Sequence, residues 1–289
     1  MNSENFNSLI TVIILTKNES VHIARAINSA KLLTNKVYVI DSDSTDDTVQ
    51  IALYLGAKVL NASFDIFSDK LNWCINNLDI DTPWVLRLDA DEYFDQRLII
   101  NLKNKIVNID DKITAIYLRR QLWFMNQHIR FGGLYPNYSL RLWRNKVVLC
   151  ESRNLDEHLI VKYGISIKLK YDIIDNPINT ISHWILKHNN YAKLEASSKI
   201  KTNINEQKVE IKNNLFGKSH ERKRWLKNKF YNRLPLFVRP IFYYLYRYIF
   251  LFGFLDGIPG LLYHFYHAFW YRILIDTIIF EQKIRLKNR

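Results

Sequence analysis

Two aspartates that follow an apolar segment are the strongest candidates for chemistry in this sequence. Asp89 and Asp91 are separated by one residue and come directly after the apolar run 84–88. At this spacing two carboxylates can approach one Mg²⁺ or Mn²⁺ ion while substrate phosphate oxygens complete its coordination shell. Acidic turns also cap helices, and Asp95 is predicted to be such an N-cap. For Asp89 and Asp91 the position at a strand end favours a ligand-binding role.

Polar side chains also follow two earlier apolar runs. Thr16, Asn18 and Glu19 come after residues 9–15, and Asp41 comes after residues 36–40. Neither GxGxxG nor GxxxxGK[ST] occurs in the sequence, so a bound diphosphate would need a metal ion rather than a glycine-rich loop. The other acidic residues of the second turn are Asp43, Asp46 and Asp47. A structural role in the turn that caps the following helix is the favoured interpretation for them, and Ser44 or Thr45 is the predicted cap of that helix.

Four strand and helix pairs are predicted to position these side chains. Apolar, β-branched runs at 9–15, 36–40, 57–60 and 84–88 alternate with helical periodicity at 19–33, 45–55, 66–78 and 96–107. This alternation predicts an α/β fold with a doubly wound, mostly parallel sheet. Open sheets of this class bind ligands beyond the carboxyl ends of their strands, which is where the polar residues lie.

Positive charge is concentrated at the C-terminal end of the chain. The 289 residues carry 41 Lys and Arg against 28 Asp and Glu, a net charge of +13. Residues 218–289 hold 14 basic and 4 acidic residues, so +10 of that charge lies there. A hydrophobic content of 48% excludes wholesale disorder. The two cysteines suggest no disulfide framework and the N-terminus shows no secretory signal, so a reducing, cytosolic compartment is expected.

The same C-terminal region is rich in aromatic residues and predicts an amphipathic helical hairpin. The run 241–255 is short for a membrane span and contains Arg247, and a turn follows at Asp256. Two faces are predicted beyond that turn: Leu261, Leu262, Phe265, Phe269 and Ile273 on one, and His264, His267, Tyr271 and Arg272 on the other. We expect this region to bind an anionic membrane surface. Packing on the main domain or in a homodimer is the alternative, and no nucleic-acid-binding signature occurs.

Three motifs in this order resemble the family 2 inverting glycosyltransferases of the GT-A fold: VIILTKNES at 12–20, VIDSDSTDDT at 39–48 and WVLRLDADEYF at 84–94. Three later segments are similar to the branch of that family that builds bacterial lipopolysaccharide and exopolysaccharide: GGLYPNYSLRLWR at 132–144, NLDEH at 154–158 and KHNNYAKLEA at 187–196. The resemblance covers nearly the whole chain.

The resemblance implies roles for individual residues on the donor side. Thr16, Asn18 and Glu19 would line the nucleotide pocket and Asp41 would contact the base, which is uracil in the best understood members. Asp89 would lie near the ribose and phosphates, where it is also a candidate metal ligand, and Asp91 would bind Mg²⁺ or Mn²⁺. Relatives often have a basic residue where this chain has Leu71, so Lys70 is either a phosphate ligand or a solvated helix residue.

Inverting transfer also requires a general base for the acceptor hydroxyl. The resemblance favours Glu157, with Asp156 as the second candidate; a charged loop without a catalytic role is the alternative. His158 and His183 are candidate third metal ligands, although isolated histidines are more often structural.

Two further groups are candidates on the acceptor side. Lys187, His188 and Asn189 are predicted at the start of a helix that reaches Ala196, where Lys187 could meet a diphosphate. Gly132 and Gly133 predict a tight loop near the acceptor. The aromatic residues around that loop could stack on sugars or belong to the core; they are Trp123, Phe124, Tyr135 and Trp143.

The sequence thus predicts a GT-A domain at 1–215 and a basic, aromatic helical region for membrane association at 216–289. The expected reaction is hexosyl or N-acetylhexosaminyl transfer from a UDP-sugar to a lipid-linked oligosaccharide or lipopolysaccharide core, at the cytoplasmic face of a bacterial membrane. The alternatives are a sugar nucleotidyltransferase, which the first motif disfavours, and a non-catalytic assembly subunit with a degenerate site.

Overall fold

The computed structural model describes residues 9–64, 67–151, 158–201, 225, 229 and 231–287. The chain divides into two units. The sheet unit comprises Met1–His128, Tyr135–Cys150 and His158–Ile178, and the helical unit comprises Ile129–Leu134, Glu151–Glu157 and Asn179–Arg289. The predicted boundary at residue 215 lies outside the described residues, and residues 179–201 belong to the helical unit.

The first part of the sheet unit follows the predicted alternation of strands and helices. Its elements are β1 (Ile10–Thr16), α1 (Ser20–Lys31), β2 (Val37–Asp41), α2 (Thr48–Tyr54), β3 (Lys58–Asn61), α3 (Phe67–Asn77), β4 (Trp84–Asp89), β5 (Glu92–Phe94) and α4 (Gln96–Val107). The predicted N-cap is confirmed, because Asp95 Oδ1 accepts a hydrogen bond of 2.7 Å from the Leu98 amide at the start of α4.

Six more strands complete the unit: β6 (Ile113–Phe124), β7 (Gln127–His128), β8 (Asn137–Arg144), β9 (Val148–Cys150), β10 (Leu159–Val161) and β11 (Ile165–Asp175). The main sheet has the order β3-β2-β1-β4-β8-β6-β11-β5. β1 to β4 are parallel, as predicted, whereas β8 is antiparallel to both β4 and β6, and β5 is antiparallel to β11. The sheet is therefore mixed, and its parallel half contains the three motifs.

Helices cover both faces of this sheet, which makes it doubly wound. β1 is buried on both faces, and for this reason its sequence is a nearly continuous apolar run rather than an alternation of apolar and polar residues. Val12 and Ile14 belong to the core formed with α1, α2 and α4 on one face, whereas Ile13 and Leu15 belong to the core formed with α3 on the other. The predicted fold class is confirmed.

The helical unit is built from α5 (Ile181–Lys201), α6 (Val238–Leu245), α7 (Gly257–His264) and α8 (Tyr271–Lys287). Segments of π-helix at Tyr246–Phe250 and Phe265–Trp270 and a 3₁₀ turn at Gly253–Asp256 join the last three helices. α5 packs on α8 through a small apolar core that includes Ala192, Ala196, Ile275 and Ile279. The predicted hairpin is two helical segments, Val238–Phe250 and Gly253–Lys287, bent by 71°.

Within the described ranges, no single helix is long and apolar enough to cross a membrane. The bent pair of segments meets that criterion only when its two halves are taken together, by length and composition.

Candidate active site

The ends of β1 and β2 lie side by side. Thr16 pairs with Asp41 in the parallel register, and the Thr16 carbonyl accepts a hydrogen bond of 3.1 Å from the Ser42 amide. Both oxygens of the Asp41 carboxylate hold Ser44, at 2.7 Å from its amide and 2.5 Å from its hydroxyl. The buried Thr16 Oγ1 has no hydrogen-bond partner within the described part of the chain. The strand order thus brings two of the predicted donor-site residues together.

The loop after β1 is tied to the loop after β2 by the predicted polar residues. Asn18 has a positive φ of 53°, and its Oδ1 accepts a hydrogen bond of 2.8 Å from the Thr45 amide. The Glu19 amide donates to Thr48 Oγ1 at 2.8 Å, and the Glu19 carboxylate lies 2.6 Å from His22 Nδ1. These contacts fix both loops at one edge of the sheet.

The prediction that Ser44 or Thr45 caps α2 is wrong. Ser44 is held by Asp41 and Thr45 by Asn18, and it is the Asp46 carboxylate that accepts hydrogen bonds from the Thr48 amide and hydroxyl at 3.1 and 2.5 Å. Asp46 thus forms an Asx-type turn just before α2, and the residue at the N-cap position, Asp47, makes no side-chain capping hydrogen bond.

A cleft of about 450 Å³ opens beside these loops. Asp41, Ser44, Gln50, Val59 and Asn61 contribute to its lining, so it combines polar groups from the carboxyl ends of β2 and β3 with side chains of α2. This volume lies within the range of small-molecule sites, and its position is the one expected for ligands of open α/β sheets.

Lys70 on α3 is buried, which contradicts the interpretation of this residue as a solvated helix residue. Its ammonium donates a hydrogen bond of 3.0 Å to the Thr16 carbonyl. Burial lowers the pKa of Lys70 to about 8, against the opposing effect of acidic groups that include Cys74 and Asp41. A cation thus lies at the end of β1, where an anionic ligand would be favoured.

Asp89 lies at the end of β4 between two arginines. Arg87 Nη2 is 3.0 Å from Asp89 Oδ1, and Arg141 Nη1 on β8 is 3.2 Å from Asp89 Oδ2. Although burial alone would raise the pKa of Asp89, the two guanidinium groups hold it well below its ordinary value. Asp89 is therefore a carboxylate fixed by cations on both sides.

Glu92 completes this charge cluster from the start of β5. Its carboxylate lies 2.5 Å from Arg141 Nη2 and accepts a hydrogen bond of 3.0 Å from the Asp89 amide. The side chain is buried, and this burial raises the pKa of Glu92 to about 8. The chain segment from Asp89 to Glu92 is consequently held in one conformation, with Asp91 at its turn.

Asp91 is partly exposed, and its backbone carbonyl accepts hydrogen bonds from Arg25 at 3.1 Å and from the Asn176 amide at 3.4 Å. In the described ranges no three His, Cys, Asp or Glu side chains come together as a metal site, so Asp89, Asp91 and His158 do not form a three-ligand set. The arginine contacts of Asp89 leave Asp91 as the better protein ligand. A Mg²⁺ or Mn²⁺ ion on Asp91 fits this chain only with ligand phosphates and water completing its shell, a mode common for Mg²⁺.

The two candidate bases, Asp156 and Glu157, lie outside the described residues. His158 belongs to the sheet unit and precedes β10. Of the four predicted aromatic residues, Trp143 and Phe124 are core residues. Trp123 and Tyr135 are partly exposed and both contact His128, with ring centroids 6.0 and 5.0 Å away. A sugar-stacking role is therefore open only to these last two.

The candidates in residues 183–189 belong to the helical unit. Lys187 lies well inside α5, so the prediction that a helix starts there is wrong. His183 is exposed near the start of α5, whereas His188 stacks on Trp184 with centroids 3.4 Å apart, and burial lowers the pKa of His188 to about 4. His188 is thus a structural residue of the helix.

The predicted glycine loop is held within the helical unit. The Asp256 carboxylate accepts hydrogen bonds from the Arg130 and Phe131 amides at 3.0 and 2.8 Å. Arg247 Nε donates to the Gly132 carbonyl at 2.9 Å, and the Gly132 amide donates to the Leu251 carbonyl at 2.9 Å. Residues 129–134 are therefore fixed by the C-terminal helices.

The sequence reasoning missed the arginine partners of the acidic motif. Arg87 and Arg141 each lie between two leucines of a strand, and a charge in such a position requires a nearby counter-charge. This signal is present in the segments RLDADE and SLRLWR, but the partner of each arginine depends on the order of strands in the sheet.

Part of the chain is similar in sequence to known glycosyltransferases. Residues 11–152 match the model of the Glycosyl transferase family 2. An uncharacterized glycosyltransferase of Rickettsia conorii is 46% identical over 95 residues, and one of Rickettsia bellii is 41% identical over 96 residues. These alignments cover 31% and 33% of this chain, and the chain spans about a third of the length of either relative.

Among solved structures, a glucosyl-3-phosphoglycerate synthase from Mycobacterium tuberculosis, in complex with Mn²⁺, UDP and glucosyl-3-phosphoglycerate, matches with 21% identity and a TM-score of 0.34. The match covers 39% of this chain and 44% of that one. The three motifs and the parallel strands that begin them lie within the segment 11–152 that matches the glycosyl transferase family 2 model.

Proposed function

We propose that this protein is a glycosyltransferase that moves a sugar from a UDP-sugar to a hydroxyl group of an acceptor glycan, with inversion at the anomeric carbon. The observation that carries the proposal is the convergence of three polar strand ends, those of β1, β2 and β4, in the segment that matches the family 2 model. A nucleotide with a diphosphate needs hydrogen-bond donors, a cation and a metal ligand, and these ends supply all three.

On the donor side, the cleft lined by Asp41, Ser44 and Asn61 would receive the base, and the neighbouring loop with Thr16, Asn18 and Glu19 would contact the rest of the nucleotide. Lys70 and a Mg²⁺ or Mn²⁺ ion on Asp91 would neutralise the diphosphate as it leaves. Asp89, fixed by Arg87 and Arg141, would orient the ribose side of the donor. Glu157, or Asp156 in its place, would take the proton of the acceptor hydroxyl.

The acceptor that we propose is a lipid-linked oligosaccharide or a lipopolysaccharide core, and the place is the cytoplasmic face of a bacterial membrane. Two features support this part. The segments at 132–144, 154–158 and 187–196 are similar to enzymes of surface polysaccharide synthesis, and the C-terminal 72 residues combine a charge of +10 with many aromatic side chains.

A donor panel tests the proposal. Binding and nucleoside diphosphate release would be measured for UDP-, GDP- and dTDP-sugars with and without Mn²⁺, on the full chain and on Asp91→Ala. Asp81→Ala is the matched control, because Asp81 lies just before β4, at the opposite end of the strand, and its side chain is exposed. We expect one UDP-sugar to bind with metal, and this binding to be lost only in Asp91→Ala.

Metal-dependent binding of GDP- or dTDP-sugars would correct the donor and leave the reaction class intact. Absence of metal-dependent binding for every nucleotide sugar would instead favour the non-catalytic assembly subunit. Pyrophosphate-dependent exchange between a sugar phosphate and a nucleoside triphosphate would indicate a nucleotidyltransferase.

A further inference from the structure

The helical unit carries an apolar surface that contains no exposed charged side chain. We define it by the exposed residues of 241–265, which run from α6 through the bend to the end of α7. Phe250 and Ile258 are 70% and 73% exposed, and Phe242, Ile249, Phe252 and Leu255 are exposed as well. Water-soluble proteins seldom expose so many large apolar side chains in one continuous segment.

The charged residues of this segment point inward. Arg247 and Asp256 are its only Lys, Arg, Asp or Glu residues, and they are 5% and 3% exposed. Arg247 donates to the Gly132 carbonyl, and Asp256 accepts the amides of residues 130 and 131. The arrangement is therefore the reverse of an ordinary soluble helix, with ionic groups inside and aromatic groups outside.

The two helix faces predicted from the sequence beyond residue 256 also differ in exposure. Leu261 and Phe265 of the predicted apolar face are exposed and its other three members are half-buried, whereas His264 and Tyr271 of the predicted polar face are buried and its other two members are half-buried. The polar face therefore packs more deeply within the unit, and the apolar face is the more exposed of the two.

Charge distinguishes a lipid partner from a second copy of this chain. Lys229, Arg233, Lys283, Arg285 and Lys287 are exposed in the helical unit. Phe237, just before α6, packs against Phe280 of α8 with ring centroids 5.7 Å apart, so the basic end of α8 adjoins the start of the apolar surface. Two copies joined at this surface would bring like charges together. An anionic headgroup layer would instead be attracted, by about 1 kcal/mol for each nearby basic residue.

The bend is compatible with shallow insertion. No single described helix spans a bilayer, whereas helices that lie in the interface bury an apolar face about 5–10 Å deep. We propose that the apolar surface of residues 241–265 inserts into the headgroup and upper acyl layer of an anionic bilayer, with the flanking basic residues on the phosphates. This inference does not depend on the donor chemistry.

Vesicle flotation of the full chain without nucleotide tests the proposal. The vesicles contain phosphatidylglycerol and phosphatidylcholine in about equal parts, or phosphatidylcholine alone. We expect wild type to float with the anionic vesicles, and Phe250→Asp and Ile258→Asp each to lower the partition coefficient at least about tenfold. Ile100→Asp is the matched control: Ile100 is 60% exposed on α4 of the sheet unit, so this variant should bind like wild type.

A second variant tests the charge contribution without touching the apolar surface. Replacing Lys283, Arg285 and Lys287 by Gln at the exposed end of α8 should weaken binding to anionic vesicles about tenfold or more and reduce its dependence on salt. Urea unfolding of each variant establishes that it is folded.

The proposal is overturned if wild type fails to float with anionic vesicles, or if Ile258→Asp floats as well as Ile100→Asp. It is also overturned if light scattering shows a vesicle-independent dimer that Ile258→Asp converts to a monomer, because the surface would then bind a second copy. Neither result would affect the donor panel, so the proposed donor chemistry and the proposed membrane binding fail separately.

Discussion

Arg141 on β8 and Asp89 at the end of β4 form an ion pair in which Arg141 Nη1 lies 3.2 Å from Asp89 Oδ2. The same guanidinium holds Glu92 at 2.5 Å, so one buried cation fixes the residues on both sides of Asp91. Because β8 runs antiparallel to β4, a residue far along the chain reaches the acidic motif. The rigidity of the proposed metal-binding turn therefore depends on a strand that the motif itself does not include.

Replacing Arg141 by Met should destabilise the protein and weaken donor binding together. Removing Arg141 leaves the buried Glu92 carboxyl without its partner and leaves Asp89 paired with Arg87 alone; breaking a buried pair in this way typically costs about 3–5 kcal/mol. We expect a loss of about 3 kcal/mol in urea unfolding and a weaker, less metal-dependent binding of UDP.

Arg144→Met is the control for this prediction, since Arg144 lies on the same strand and pairs with the exposed Asp111 at 2.7 Å. A surface pair of this kind contributes up to about 1 kcal/mol. Equal losses in the two variants would contradict a special role for Arg141.

His264 should make the helical unit sensitive to acid. Burial, reinforced by the Arg247 charge, lowers the pKa of His264 to about 3, and both ring nitrogens are without a hydrogen-bond partner in the described chain. His267 lies beside the same arginine, and its pKa is also lowered by burial. The unfolded chain therefore binds more protons below about pH 6.5 than the folded chain, and stability is lost as the pH falls below that value.

The measurement is urea unfolding at several pH values between about 4 and 7.5, on wild type and on His264→Phe. We expect the variant to lose less stability on acidification, by up to about 1.4 kcal/mol per pH unit. His183→Phe is the control, because His183 is exposed on α5 and should leave the wild-type slope unchanged. Parallel pH profiles for all three proteins would show that His264 does not titrate in this way.

The sequence is most informative where structure is local. Periodicity predicts α4 to the residue, and the rule that ligands bind at strand ends correctly places Thr16 and Asp41 together. The capping prediction for α2 is wrong because Ser44 and Thr45 are bound by Asp41 and Asn18, and the N-cap position falls on Asp47, which makes no side-chain capping bond.

Long-range order cannot be read in the same way. The position of Arg141 beside Asp89 requires β8 to be inserted between β4 and β6, and no pattern within β8 specifies its neighbours. Likewise, the C-terminal helices have two faces by periodicity, but periodicity does not say which face points inward. Here Arg247 and Asp256 determine which face points inward, because both bind backbone groups of residues 130–132.

Glu157→Gln should abolish transfer and leave donor binding intact. If Glu157 takes the proton of the acceptor hydroxyl, its loss removes base catalysis, which is typically worth about 10²–10⁴ in rate. We expect kcat to fall by that factor with little change in the Kd for the UDP-sugar. Asp156→Asn separates the two candidates: the variant with the larger loss in kcat identifies the base, and two small losses would exclude this segment from catalysis.

Gly132→Ala should destabilise the protein far more than Gly56→Ala. Both glycines have positive φ, 68° and 70°, so each alanine carries a backbone strain of about 1 kcal/mol. A Cβ on Gly132 would overlap the ring of the buried His264, whereas a Cβ on Gly56 would meet only the end of the flexible Lys31 side chain, at 3.3 Å. The difference between the two variants therefore isolates the packing of the loop on α7.

The double variant Gly132→Ala with His264→Ala should recover part of this loss, because the smaller side chain makes room for the added methyl group. Urea unfolding of the four proteins gives the coupling energy between the two positions, which we expect to be about 1 kcal/mol or more, as is usual for residues in direct contact. Additive losses would mean that residues 129–134 can leave α7 without cost, and that the hydrogen bonds to Asp256 and Arg247 alone hold the loop.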